Sequence, residues 1–323
     1  MQPKIKVIGV GGSGSNTVSR MAHLRRQTDA NIQEVELLAV NTDAQALHFS
    51  KSDKKILIGR DTTNGLGTGM DADLGRKSAE ESKREILSAI GGSASGGEKS
   101  SEKADMVFVT CGLGGGTGSG ASPIIAEASK SLGILTIGVV TTPFSFEGLD
   151  RKKIAESALR NLKESVDSLL VISNDKLLKI IDEKTTVSSA FLLCDDILRE
   201  AVQSITDLIL VPGIINIDFA SVLSIMKDSG HALFGMGKTM GENRAARAAE
   251  MAINSPLLDF SIKGSKGVLF SVAGEDVSLN EIKEAAKVIT QNVDPKAQII
   301  FGATKDKSLR KGEIKITVIA TKL

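Results

Sequence analysis

Gly112-Leu113-Gly114-Gly115-Gly116-Thr117-Gly118-Ser119-Gly120 follows the apolar run Met106-Val107-Phe108-Val109-Thr110 and opens a helical pattern. Each glycine raises the entropy cost of ordering such a loop. A chain accepts that cost where successive backbone N–H groups must line an anion. The density of glycine here argues for an anion cradle rather than a packing turn. Thr117 and Ser119 add hydroxyl donors.

A second glycine loop lies upstream. Ile5-Lys6-Val7-Ile8-Gly9-Val10 reads as a buried strand running into Gly11-Gly12-Ser13-Gly14 and a helix from about Ser15 to Leu24. Gly9 to Gly14 satisfies G-x-G-x-x-G, and Asp43 follows the next strand, so this part alone suggests a dinucleotide enzyme. Its physics is generic: glycines admit a phosphate, and the helix N-terminus favours negative charge. The Gly112–Gly120 run breaks the tie, because a nucleoside triphosphate has more charge to wrap. No G-x-x-x-x-G-K-[ST] occurs, so this is not a P-loop chain.

Further strands are expected at 35–40, 55–58, 106–110, 135–140 and 169–172, with a helix at 73–90 and a glycine-rich turn at 65–69. Strands alternating with helices predict an α/β fold, a parallel sheet with helices on both faces. The alternation stops at one long helical pattern over 186–211, in which Phe191, Ile197, Leu198, Ala201, Val202 and Ile205 recur at three- and four-residue spacing. At ~1.5 Å per residue it spans roughly 35 Å. A smaller α+β domain follows, with helices near 222–227, 242–253 and 279–288 and strands at 267–272, 298–302 and 314–319. The polar segment 91–101 reads as a solvated insertion on the edge away from the strands' carboxyl ends.

The 323 residues call for more than one domain. A formal net charge of +1 gives no field for nucleic acid or an anionic membrane. With no Tyr or Trp, stacking platforms for single strands are not supplied. Two cysteines, Cys111 and Cys194, exclude a disulfide framework or a cysteine zinc site. His23, His48 and His231 show no ligand spacing, so no metal-binding residues are expected. No signal-peptide pattern and no membrane-length apolar run occur, which predicts a cytoplasmic chain without direct membrane insertion.

Gly114 to Gly120, read G-G-G-T-G-S-G, resembles the signature of the tubulin/FtsZ family of GTPases. Ile5–Asn16, Ala39–Leu47, Gly65–Gly69 with Gly75-Arg76-Lys77, Pro143–Gly148, Asn216–Ala220, Ser255–Leu258, Ile300–Ala303 and Val318–Thr321 are similar to further family segments in order. The spacing suits the shorter prokaryotic, cell-division members better than eukaryotic tubulin, which is longer and more aromatic. The resemblance implies a GTP-binding domain at 1–185, a central helix at 186–211 and a C-terminal GTPase-activating domain at 212–323.

It also implies ligands and roles: GTP or GDP with Mg²⁺. Gly12, Gly14 and Asn16 would contact phosphate and guanine, and Gly116, Thr117 and Gly118 would cradle the β- and γ-phosphates. Glu147 would hold the ribose hydroxyls, with Arg151 near the sugar and phosphates. Asp195 would accept from guanine N1 and N2, two adjacent donors that suit a carboxylate. Asp196 stands beside it, and only the family register chooses between them. Gly11, Ser13, Ser15, Asp43, Thr68, Gly69, Gly112, Gly114, Gly115, Pro143 and Phe191 complete the implied surface.

Hydrolysis in this family is completed by the next subunit's Asn-x-Asp-Phe-Ala-Asp loop, so the implied partner is a second copy in a head-to-tail filament. Asn216 and Asp218 stand where that pattern expects them, but Ser221 replaces its second aspartate. Serine is neutral at pH 7 and cannot act as a carboxylate base. Slow hydrolysis with assembly retained is therefore expected; a non-hydrolysing scaffold is the alternative. Family members act at the division site and bind membrane tethers through a C-terminal tail, and that tail's absence after Leu323 is a further expectation.

Overall fold

β1 (Ile5–Val10) is buried along its whole length, and so is β4 (Met106–Gly112) up to its last residue. Unbroken apolar runs of this kind belong to strands covered on both faces. The computed structural model describes residues 2–27, 35–91, 103–178, 185–258, 260–306 and 309–322. It divides into two compact units, Met1–Val202 and Gln203–Leu323.

In the first unit β1 and β4 stand at the centre of a parallel array with β2 (Val35–Asn41), β3 (Lys54–Leu57), β5 (Leu135–Thr142) and β6 (Ser168–Ser173), in the order β3-β2-β1-β4-β5-β6. Ile5 pairs with Val35 on one side and Met106 on the other. The helices are α1 (Gly11–Gln27), α2 (Ala44–Phe49), α3 (Arg60–Thr63), α4 (Ala72–Glu81), α5 (Lys83–Ile90), α6 (Gly116–Ser131), α7 (Leu149–Ser165), α8 (Asn174–Leu177) and the start of α9 (Val187–Leu210). The expected parallel α/β sheet is what forms. A core of Ile8, Val40, Ile86, Val107, Ile125 and Leu162 ties its strands to α5, α6 and α7.

The single helix expected over 73–90 is two. Ser82 interrupts it, and its hydroxyl accepts from Gly59 N at 3.0 Å while Glu81 accepts from Asp61 N and Thr62 N. The side chains at the break are engaged by the chain between β3 and α4. The long helix is present as α9, and the division into units falls inside it, after Val202. Of the expected insertion, 92–101 lies outside the described residues; Gly91 closes α5 at φ 106°.

The second unit holds α10 (Phe219–Met226), β7 (Gly230–Met240), α11 (Arg244–Ile253), β8 (Gly267–Gly274), α12 (Leu279–Thr290), β9 (Gln298–Thr304) and β10 (Glu313–Thr321). Its strands lie in the order β7-β10-β8-β9. β7 has no counterpart among the expected strands. Its glycines hid it: a Cβ on Gly235 or Gly237 would lie about 2 Å from Ala252 O or Ala248 O of α11. These glycines let a helix backbone press on the strand. Among the described residues no helix is long and apolar enough to cross a membrane.

In the first unit the same device joins α4 to α6. A Cβ on Gly120 would lie 2.0 Å from Ala72 O, and one on Gly75 would lie 2.3 Å from Gly116 O. Gly120→Ala must push the two helices apart. It should cost about 1–3 kcal/mol in denaturant unfolding; an unchanged midpoint would refute the packing role.

Candidate functional site

A cleft of about 460 Å³ opens at the carboxyl ends of β1, β4 and β5. Ligands collect there in such sheets, because strand ends and helix beginnings face the same way. Two helix N-termini border it. α1 begins at Gly11, whose φ of 72° turns the chain directly from strand into helix, and α6 begins at Gly116. Neither has an acidic residue in its first turn, so both present unneutralised N–H groups.

The lining contains Gly11, Gly12, Ser13 and Asn16 from α1, and Gly112, Gly115, Gly116, Thr117 and Gly118 from the β4–α6 segment. Thr68, Pro143, Glu147, Arg151, Phe191 and Asp195 complete the expected set that the fold brings together. Gly14, Ser15, Asp43, Gly69 and Gly114 do not line it. Gly14 serves packing: its Cβ would lie 2.4 Å from Thr110 O. Ser15 is buried on α1. The Asp43 carboxylate is engaged as the N-cap of α2, accepting from Ala46 N at 2.9 Å. Gly114 N donates to Ser119 Oγ at 2.9 Å, which shapes the loop from within.

The glycines of the opening run line the cleft at Gly112, Gly115, Gly116 and Gly118, and several of them also serve close packing. Gly116, Gly118 and Gly120 are glycine because a Cβ would strike Thr68 and Asp71, Gly112 O, or Ala72 O respectively. Gly12 and Gly115 alone among the lining glycines have no heavy atom within 4 Å of a built Cβ. At those two the open space is the cleft itself.

At one end, hydroxyls gather. Thr117 Oγ1 lies 2.6 Å from Thr42 Oγ1 and 3.2 Å from Thr68 Oγ1, all three residues buried. Elsewhere in the lining, Asp195 Oδ1 accepts from Ser13 Oγ at 3.2 Å, and Arg20 Nε stands 3.8 Å from Oδ2. Burial pushes the Asp195 carboxyl up to about 6, with Arg20 and Ser13 opposing and Asp196 assisting. Asp196 instead takes the Arg20 guanidinium at 2.8 Å and stays outside the lining. Of the two adjacent aspartates, Asp195 lines the cleft and Asp196 does not. Glu147 accepts from Phe144 N at 2.8 Å and from Arg151 at 3.2 Å. Phe144 packs edge-on to Phe191 with ring centroids 5.4 Å apart.

Sequence reasoning passed over Val10, Leu113, Thr141, Asn174 and Cys194, all of which line the cleft. Asn174 is the informative one: its Oδ1 is buried without a hydrogen-bond partner. Its position directly after β6 was the available signal. Cys194 is inert as a nucleophile, since burial raises its thiol to about 12.

The 216–222 segment belongs to the second unit. Asn216 Oδ1 accepts from Gly213 N at 2.6 Å. Ile214 N and Ile215 N donate to Ala303 O, and Ala303 N donates to Ile215 O, so the segment is bridged to β9. Asp218 is exposed and caps α10, accepting from Ser221 N at 2.7 Å. The Ser221 hydroxyl, then its N–H, holds the Asp218 carboxyl below its ordinary range.

Residues 4–182 match the Tubulin/FtsZ family, GTPase domain, and residues 230–323 match the FtsZ family, C-terminal domain. The chain is 47% identical over 321 residues to Cell division protein FtsZ 1 of Pyrococcus horikoshii, covering 99% of this chain and 81% of that protein. The protein of the same name from Pyrococcus abyssi matches equally. Of solved structures, an empty FtsZ dimer from M. jannaschii superposes with a TM-score of 0.90 at 42% identity, covering 99% of this chain and 88% of that one. CetZ2 from Haloferax volcanii, solved as a GTPγS-bound protofilament, shares the fold at a TM-score of 0.79 and 24% identity, covering 98% of this chain and 92% of that one.

Gly12→Ala and Gly115→Ala place a methyl in open space at the cleft, so both variants should melt as the wild type does. Nucleotide affinity should fall roughly tenfold or more, the worth of a hydrogen bond to a charged group. Calorimetry and a binding titration on each variant check both halves; unchanged affinity would show that no ligand approaches these backbones.

Proposed function

The chain belongs to the tubulin/FtsZ family of GTPases, and from that premise we propose that it binds GTP in the Gly11–Asp195 cleft, assembles head to tail, and hydrolyses GTP only between subunits. The observation that carries this reading is the meeting of two helix N-termini, neither with an acidic residue in its first turn, at a cleft whose lining includes the Thr68 and Thr117 hydroxyls and the Asp195 carboxylate. Backbone N–H groups of Gly12, Gly115 and the first turn of α6 meet the phosphates. Thr117 and Thr68 add hydroxyl donors. Asp195 accepts from guanine N1 and N2, Asn174 Oδ1 supplies a further acceptor, and Phe191 covers the base. Glu147 releases Arg151 to bind the ribose hydroxyls. Cell division, with the filament at the division site, is the setting in which such a protein works.

Mg²⁺ fits this cleft as a companion of the nucleotide. Among the described residues no group of three His, Cys, Asp or Glu is placed to hold a metal. The lining hydroxyls of Thr68 and Thr117 suit an ion held mainly by phosphate oxygens and its own waters. Bound there, it would neutralise phosphate charge.

The catalytic half comes from the neighbouring subunit's Asn216–Ser221 loop. All residues lining the cleft belong to the first unit, which supports a contribution in trans. Asp218 polarises the attacking water and Asn216 helps to orient it. Ser221 weakens this in two ways. It supplies no second carboxylate, and its hydroxyl lowers the proton affinity of Asp218. A base with lower proton affinity accepts the water's proton less readily.

Pelleting and turnover measured together with GTP and Mg²⁺ test the whole reading. Ser221→Asp should raise turnover by roughly 10²-fold or more while the wild type already pellets. Equal turnover in the two proteins would sink the role given to Ser221, and failure of the wild type to pellet with GTP would sink assembly.

The Asp195 carboxyl, raised to about 6, must be ionised to accept from guanine. Binding therefore releases a proton below that value. GTP affinity should fall as pH drops through 6, by up to about tenfold per pH unit. The stability contribution has the opposite sign: a raised pKa favours the folded state below the unfolded value of about 4, and this is lost as pH rises through 6. Titrations of GDP between pH 5 and 8 check the first statement. Asp195→Asn should bind weakly throughout and show no slope.

A further inference from the structure

Thr42 follows β2 directly and is fully buried, outside the cleft lining. Its hydroxyl stands 2.6 Å from that of Thr117, and Thr117 Oγ1 lies 3.2 Å from Thr68 Oγ1. Its carbonyl accepts from Gly67 N at 3.3 Å. One residue thus holds the first turn of α6 by its side chain and the loop carrying Thr68 by its backbone. The chain before Thr42 is fixed as well, because Asn41 Oδ1 accepts from Thr42 N at 2.9 Å.

Proton counting gives this arrangement a direction. A threonine hydroxyl has one proton to donate and two lone pairs to accept with. Phosphate oxygens at neutral pH mostly accept. If Thr117 and Thr68 both donate to a phosphate, neither proton is left for the other hydroxyl. The short contact to Thr117 is then satisfied only by donation from Thr42.

We infer that Thr42 is a positioning residue for the terminal phosphate: its hydroxyl donates to Thr117, aims the Thr117 proton into the cleft, and so sets the preference for a nucleoside triphosphate over a diphosphate. This rests on the proposed phosphate end of the cleft. The inner phosphates, common to both nucleotides, are met by the N–H groups at the starts of α1 and α6. The paired hydroxyls add donors where a third phosphate adds acceptors. Removing the Thr42 hydroxyl leaves the Thr117 O–H without a fixed direction, and the loss falls on the triphosphate alone.

The test compares affinities for GTPγS and GDP at fixed Mg²⁺, at protein concentrations below those that give a pellet. Thr42→Val should weaken GTPγS binding roughly tenfold relative to GDP, the worth of one hydrogen bond in a charged network. Thr42→Ser keeps the hydroxyl and should keep the wild-type ratio. If Thr42→Val no longer binds GDP, Thr42→Ala carries the same comparison with less steric demand. A ratio unchanged in the hydroxyl-free variants but lowered in Thr117→Val overturns the role of Thr42 alone. A ratio unchanged in Thr117→Val as well overturns the phosphate-end reading beneath it. An equal drop in Thr42→Ser shows that packing by the methyl group, and not the proton relay, is what matters.

Discussion

The start of α6 is pressed closely by its neighbours. Gly116 lies under Thr68 and Asp71, Gly118 against Gly112 O, and Gly120 against Ala72 O, each closer than any Cβ tolerates. Gly11 meets the same turn from α1, its Cβ position 3.0 Å from Gly118 N. The conformational entropy that these glycines lose on folding is the cost of this close approach. The approach also fixes the relation between the two helix N-termini before any ligand arrives. An anion site whose donors are already in place does not spend binding energy on ordering them. Thr117, with the hydroxyls of Thr42 and Thr68 against its own, lies on this same turn.

Much of this was legible in the sequence, for a physical reason. β1 and β4 are apolar without interruption, and glycine loops at their carboxyl ends announce phosphate chemistry. What was not legible depended on through-space packing. Gly235 and Gly237 look like breakers, yet they sit inside β7 because α11 lies against them. Asp43 looked like a ligand because it follows a strand. Its carboxylate is instead spent on the α2 cap, while its neighbour Thr42 makes the contact toward the cleft. Asn174 carries no motif, and only an unpaired buried oxygen reveals it.

Electrostatics separates neighbours that composition treats alike. Asp195 and Asp196 are adjacent on one helix, and Arg20 forms its short ion pair with the second. The first keeps a raised proton affinity in a buried position, a common mark of functional carboxyls. Asp218 shows the reverse, an exposed carboxylate whose proton affinity is lowered by the residue that also completes its helix cap. The two acids are tuned in opposite directions, Asp195 chiefly by burial against the opposing charge of Arg20, and Asp218 by the donors of Ser221.

The bridge between Ile215 and Ala303 has a consequence for how the chain can change over generations. β9 is the outermost strand of its array, and an open strand edge invites pairing with other chains. The segment leading to Asp218 closes part of that edge, with Gly213 so near Ala303 O that a side chain would not fit. Protection of that edge therefore depends on the same few residues that lead into the α10 cap. A substitution that disturbed this backbone would open the edge of β9 whatever it did to the side chain at 218 or 221.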